Sequence, residues 1–351
     1  MKFMYGLAAA AAFSLPLQAA VSGYQVVLVH GFQPAQLKSK PDATAVEQDG
    51  ATYWQSFWNA KADARIDWPS HERISGKIAT HYLWPQLQQL SRNGTCRTGC
   101  IFVSHSTGDL VTRYIIDNQA LWLQNAGLTP LNIVATFDFA GAGGGSELAD
   151  LAVNVATGGS GIDAALKAAI RLWLGETPTA GNVGVLNDLR VNSARQLSAV
   201  PDSRVPRLRF AGAATAFYGA TSPFLPGNDD GVVSPHSSCG AATAAAFDSC
   251  SSSIAFDGKL SSPKGVSQFM PYHYPLLMSG DYHHSNLIDA QRQGLVTAAN
   301  KQKNYLDGRT LQFSTYDESR GWWVFKSQYR VVSGSDLYSM SDLLYRTAEQ
   351  R

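Results

Sequence analysis

Apolar positions along the chain fall into short continuous runs separated by longer stretches of helical spacing. YQVVLVHGF at 24–32 is a β-rich run ending in His-Gly, the pattern of a buried strand entering a loop. CIFVSH at 100–105, LNIVATFDF at 131–139 and RLRFAGAAT at 207–215 predict three more strands. After CIFVSH, Leu110, Val111, Tyr114 and Ile115 lie near helical spacing, and the segment closes on Gly127. Residues 80–92, 147–172 and 184–198 also read as helices, and another is expected after His284. Residues 33–75 are polar and Trp-rich and read as loop with short helices; residues 220–268 are rich in Ser, Gly and Ala. GWWVFKSQYRVV at 321–332 reads as a strand or hairpin, and no internal repeat is evident. Strands alternating with helices predict an α/β fold with a mostly parallel central sheet flanked by helices. Such sheets place ligand sites at the carboxyl ends of their strands. His30-Gly31 and the pentapeptide Ser104-His105-Ser106-Thr107-Gly108 both fall there.

Composition narrows the class. Of 351 residues, 45% are hydrophobic and 16% charged, which suits a globular core and argues against disorder. The net charge is +1, with no dense run of Lys and Arg, so a nucleic-acid partner is not expected. The chain opens with Lys2, an apolar run and Leu17-Gln18-Ala19, the pattern of a secretory signal peptide over residues 1–19. That run is short of the roughly 20 apolar residues a spanning helix needs, and no later segment is longer, so no transmembrane segment is expected. A secreted or periplasmic protein follows. Its main domain is placed at residues 20–300, and residues 301–351 are expected to form a C-terminal extension packed on it. Four cysteines in an oxidising compartment suggest disulfides, and the local pairings Cys96–Cys100 and Cys239–Cys250 need the least rearrangement. Cys-x3-Cys could open a zinc site, but no second pair with matching spacing follows.

Ser106 stands where a strand turns sharply into a helix. That turn exposes a serine oxygen and leaves the next backbone N–H at a helix N-terminus, where negative charge is favoured. The flanking small residues are Ser104 and Gly108. The first position usually holds glycine, so the φ of Ser104 becomes a specific question. An oxyanion needs preorganised N–H donors, and the backbones of Phe32 and Thr107 are placed to give two, with the His30 side chain bracing the loop. A serine so placed needs a base and an acid, in the chain order Ser, Asp or Glu, His. His284 is the favoured base and His283 its competitor; His236 and His273 read as surface or loop residues. Asp230, Asp229 and Asp138 are candidate acids. Asp109 is too near the serine in sequence and reads as a helix cap.

With these residues assembled, the chain resembles the secreted bacterial lipases of the α/β-hydrolase fold, the Pseudomonas and Burkholderia type. VLVHGF resembles that family's oxyanion strand, SHSTGDLVTRY its nucleophile elbow and GGGSELAD its Gly-Ser-x-x-Ala-Asp loop. NDDGVVS is similar to its Asn-Asp-Gly-x-Val turn, which carries the acid role onto Asp230; the base role carries onto the His283/His284 pair. FDFAGAG also looks like the Leu-Asp-Pro-Ala-Gly turn of pancreatic-type lipases, which keeps Asp138 a candidate. The resemblance covers residues 24–290 in islands. It implies an α/β-hydrolase with a helical lid or cap insertion at 147–180. It also implies a calcium near the histidine, although Ser285 and Asn286 stand where the family has an aspartate. No other cofactor is implied.

The expected activity is hydrolysis of carboxylic esters through Ser106, His284 and Asp230, with acylglycerols as first substrates and contact with a lipid–water interface. An acyltransferase or polyester hydrolase would use the same triad, as could a peptide hydrolase. A non-catalytic binding protein of the same fold is the alternative from another class.

Overall fold

The computed structural model describes Val21, residues 23–197 and residues 204–350. The expected signal peptide lies outside them. The strands are β1 (Gln25–Val29), β2 (Ala64–Ile66), β3 (Cys100–His105), β4 (Ile133–Phe139), β5 (Arg207–Gly212), β6 (His273–Ser279) and β7 (Thr297–Ala298), followed by β8 (Gln302–Asn304), β9 (Thr310–Gln312), β10 (Thr315–Arg320) and β11 (Ser327–Val332). The helices are α1 (Ala35–Ser39), α2 (Ala43–Tyr53), α3 (Gln55–Asn59), α4 (Trp84–Arg92), α5 (Thr107–Asn125), α6 (Glu147–Thr157), α7 (Ala164–Leu174), α8 (Leu186–Leu189), α9 (Val191–Leu197), α10 (Pro235–Ser238) and α11 (Met340–Glu349).

The first seven strands form one sheet in the order β2-β1-β3-β4-β5-β6-β7. All neighbours are parallel except β6 and β7. The apolar runs explain this. Every residue of β3, β4 and β5 is buried, as central strands covered on both faces require. Strand side chains alternate between faces. Val27, Val29 and Phe102 therefore join the core under α4 to α7, while Val26, Leu28, Ile101 and Val103 join the opposite core, with Trp54, Trp58 and α11. This is the α/β-hydrolase fold. Residues 301–350 add Tyr305, Phe313, Val332, Met340 and Leu344 to the second core.

Several elements differ from expectation. β2 lies inside the stretch read as loop. β6 carries Pro275, which cannot donate to the ladder, and the register with β5 shifts beside its partner Arg209. Residues 147–172 hold two helices, because Gly158 ends α6 at φ 69° and Asp163 caps α7 by accepting from the Leu166 N–H. After His283 comes only a five-residue 3₁₀ turn, His284–Ile288, closed by a His283–Asn286 capping box. His236 and His273 are buried rather than on the surface. His236 Nε2 donates to Glu147 Oε1 at 2.6 Å, and His273 Nδ1 donates to the Pro271 carbonyl at 2.8 Å.

Asp109 is not a cap either; it belongs to a buried ionic cluster under the carboxyl ends of β3 and β4. Arg209 on β5 donates to Asp109 Oδ2 at 2.8 Å and lies 3.7 Å from Asp138 Oδ2. It also donates to the carbonyls of Ser238, Gly141 and Ser237. Burial alone would raise the Asp109 carboxyl, but Arg209, Arg113 and the Gly143 N–H carry it below the usual range. Asp138 goes the other way. Burial and the Asp109 charge push it up to about 7, against Arg209 and the hydroxyls of Ser104 and Thr136.

Both expected disulfides, Cys96–Cys100 and Cys239–Cys250, are formed. Breaking Cys239–Cys250, which spans 11 residues, with a double Ser replacement lowers unfolding free energy by about 3 kcal/mol in denaturant titrations. Because Asp138 titrates at about 7 folded and about 4 unfolded, its stabilising contribution is complete below pH 4 and is lost as pH rises through 7. The stability deficit of Asp138→Asn relative to wild type is therefore largest at acid pH and shrinks between pH 4 and 7, as measured by urea melts across that range.

Candidate active site

β3 ends at His105 and α5 begins at Thr107, so Ser106 alone makes the turn, with φ 57° and ψ −128°. Backbone there is costly for a side-chain-bearing residue and persists only where surroundings over-determine it. Here the Ser106 N–H donates to the Phe139 carbonyl at 3.0 Å, and the Ser106 carbonyl accepts from Ala142 at 3.0 Å and Asp109 at 3.1 Å. Gly108 is required by space: a Cβ would stand 2.2 Å from the Val29 carbonyl oxygen. Ser104 is different. It is a regular β3 residue paired with Val29 and Asp138, outside the positive-φ set, and its Oγ donates to Asp138 Oδ1 at 2.6 Å. The departure from glycine is thus absorbed in the strand, and the backbone strain sits on Ser106.

Asp230 lies in the turn after Asn228. Its Oδ1 accepts from the N–H groups of Val232 at 3.0 Å and Val233 at 2.7 Å, which fixes the carboxylate plane. Its Oδ2 accepts from His284 Nδ1 at 2.9 Å, and the Asp230 carbonyl accepts the His284 N–H at 2.9 Å. A carboxylate partner on Nδ1 makes that nitrogen the protonated one and leaves Nε2 as the basic site. The other candidates are engaged elsewhere. Asp229 Oδ1 accepts from Gly231 N–H and Ser222 Oγ. Asp138 belongs to the ionic cluster. His283 caps the 3₁₀ turn, its Nδ1 accepting from Ser285 N–H at 3.2 Å.

Ser106 and His284 line one cavity of about 210 Å³ together with Phe32 and Thr107. Trp173, Leu189, Phe217, Val232 and Ile288 give it an apolar wall. Gly31 brings the β1 loop against the elbow, since a Cβ there would meet Ser106 Cβ at 2.7 Å and His105 O at 2.8 Å. His30 braces this loop. Its ring stacks on Trp68 at 4.9 Å and accepts the Trp68 N–H, and burial brings its pKa down to about 4.

Two residues escaped sequence reasoning. His105 Nε2 contacts the His284 carbonyl at 2.8 Å; a carbonyl only accepts, so Nε2 carries the proton and Nδ1 accepts from Tyr53 Oη–H. Burial, then the neighbouring His284, brings the His105 pKa down to about 3, so it stays neutral; burial raises the Tyr53 phenol. This relay ties α2 and the elbow to the segment holding His284. His105 stood inside the elbow motif, but Tyr53 lies in a stretch without periodic signal.

Of the two helices of the expected lid, α7 reaches the cavity. The Trp173 ring on α7 lies 5.7 Å from that of Phe32. A calcium beside His284 does not fit the donors present: Asn286 Oδ1 is already taken by the His283 N–H at 2.8 Å. Among the described residues, no helix is long and apolar enough to cross a membrane.

No family model and no curated protein matches the chain. Among solved structures, it is similar to the mature lipase BlEst2 of Bacillus licheniformis, with 17% identity, 78% of this chain and 89% of that chain covered, and a TM-score of 0.46. Staphylococcus hyicus lipase matches with 16% identity, 79% and 91% coverage and a TM-score of 0.46. EstA of Clostridium botulinum matches with 12% identity, 76% and 83% coverage and a TM-score of 0.40. At such values the similarity carries no functional weight, which falls on the geometry of the cavity.

Proposed function

We propose that the protein is a serine hydrolase of carboxylic esters, with Ser106 as nucleophile, His284 as general base and Asp230 as the acid that orients it. The observation that carries this reading is the Asp230–His284 pair at 2.9 Å, with His284 lining the same cavity as a serine held at φ 57°. His284 Nε2 takes the Ser106 proton as Oγ attacks the ester carbonyl. The Phe32 and Thr107 N–H groups are the proposed donors to the oxyanion, Thr107 having the positive end of the 19-residue α5 behind it. His284 then protonates the leaving alcohol. Water, activated in turn by His284, releases the acid and restores Ser106.

The apolar cavity wall favours an acyl chain over a polar acyl group, in keeping with a lipase or esterase of the secreted bacterial type. Acylglycerols are the substrates we propose, with no metal in the reaction. Two disulfides fit an oxidising compartment, which supports export.

Ser106→Ala lowers kcat on p-nitrophenyl esters by at least about 10³-fold while the far-ultraviolet dichroism is unchanged. Unchanged turnover in that variant would overturn the assignment. Asp230→Asn lowers kcat by on the order of 10³–10⁴-fold, through the wrong imidazole tautomer, whereas Asp138→Asn retains activity within about tenfold. The reverse order in the same assay would move the acid to Asp138.

A further inference from the structure

β10 and β11 form an antiparallel hairpin registered from Thr315–Val332 to Arg320–Ser327. Its base is fastened to the domain. Val331 and Val332 are buried, Val332 N–H donates to the Val296 carbonyl, and Arg330 N–H to that of Gly258, both at 2.8 Å. Its stem is polar, with Arg330 paired to Asp317 and Arg320 to Glu318.

The tip is of opposite character. Trp322, Trp323 and Phe325 are 89%, 83% and 84% exposed, so their apolar surface contributes almost nothing to folding. The turn that carries them is closed by a backbone hydrogen bond. Phe325 N–H donates to the Trp322 carbonyl at 3.1 Å, Gly321 takes φ 103°, and Trp323 is held at φ 53°. A Cβ on Gly321 would stand 2.5 Å from the Phe325 carbonyl. Three large apolar side chains exposed together mark an interaction site, unlike apolar residues scattered singly over a surface. Indole rings are favoured at a membrane–water interface, where one edge is apolar and the other wet. Lys326 is exposed beside Phe325, and no acidic residue lies between Gly321 and Lys326. That charge complements anionic headgroups.

We propose that the β10–β11 tip is a docking surface for an anionic lipid interface, with Trp322, Trp323 and Phe325 entering the headgroup region and Lys326 meeting its charge. This stands apart from the ester chemistry, because binding is measured without turnover.

The test uses the full chain and vesicles of ether-linked phosphatidylglycerol and phosphatidylcholine, which offer no ester to cleave. Wild type co-sediments with them, and brominated chains quench part of its tryptophan fluorescence. Trp322→Ser/Trp323→Ser/Phe325→Ser binds at least tenfold more weakly, with its melting temperature and soluble-ester turnover unchanged. Lys326→Glu, a milder change, weakens binding several-fold on anionic vesicles and not on phosphatidylcholine alone. Equal sedimentation of wild type and triple variant would overturn the proposal, as would no binding by wild type. So would a wild-type dimer that the triple variant turns into monomer, since the tip would then join two copies. Vesicle binding that persists while Ser106→Ala leaves turnover untouched would remove the hydrolase reading and leave this one standing.

Discussion

The site depends on the backbone of one residue. Ser106 is held at φ 57°, and a conformation that a side-chain-bearing residue avoids must be held by its neighbours. The hold comes from three backbone hydrogen bonds and from Gly108, whose missing Cβ lets α5 start against the end of β1. The chain that supplies one of those bonds, the loop after β4, is itself tied down. Asp109 accepts from the Gly143 N–H, and Arg209 donates to Asp109 and to the Gly141 carbonyl. The buried ion cluster is therefore part of the elbow, although none of its charges lines the cavity. Removing one partner would leave an uncompensated buried charge, a loss of about 3–5 kcal/mol in comparable cases.

Two buried aspartates near the serine are held in opposite electrostatic settings, and this separates their roles. Asp138 faces Asp109 across a shared Arg209, so one of the two carboxyls must yield, and it is Asp138 whose pKa rises to about 7. Its oxygens are occupied by the hydroxyls of Ser104 and Thr136. Asp230 faces two backbone N–H groups and one imidazole and no second acid within that turn except Asp229, which is turned to Gly231 and Ser222. A carboxylate so surrounded keeps a fixed direction for its free lone pair, which is what an orienting acid needs. Ser104 belongs to the first setting. Its hydroxyl gives Asp138 a donor that glycine would not.

Much of this was legible in the chain. The runs at 24–32, 100–105, 131–139 and 207–215 predict β1, β3, β4 and β5, because strands buried on both faces need no alternation to be seen. Strand β6 was hidden by Pro275 and by polar neighbours, and β2 by its length of three residues. The position of Ser106 followed from strand, turn and helix signals. The three-way choice among Asp138, Asp229 and Asp230 did not, since each sits at a strand end or turn and only the fold decides which reaches His284. The buried states of His236, His273 and Asp109 had no local signature at all. His236 and Asp109 find hydrogen-bond partners 89 and 100 residues away, which is tertiary information, and His273, bonded to the Pro271 carbonyl two residues back, is buried by its place at the start of β6.

The link between Glu147 and His236 bears on α6 and α7 as well. Asp230, Ser234 and His236 lie within seven residues of chain, and Glu147 opens α6. Glu147 accepts from Ser234 Oγ at 2.9 Å and from His236 Nε2 at 2.6 Å, while Ser146 Oγ donates to the Val232 carbonyl at 2.7 Å. The start of α6 is thus bonded to the same turn that holds Asp230. Any displacement of that end would pull on the Val232 and Val233 N–H groups that fix the carboxylate. α7 follows α6 after Gly158 and Gly161, both at positive φ, and reaches the cavity through Trp173. α6 is therefore committed to the turn of Asp230, and α7 meets the cavity through an aromatic contact.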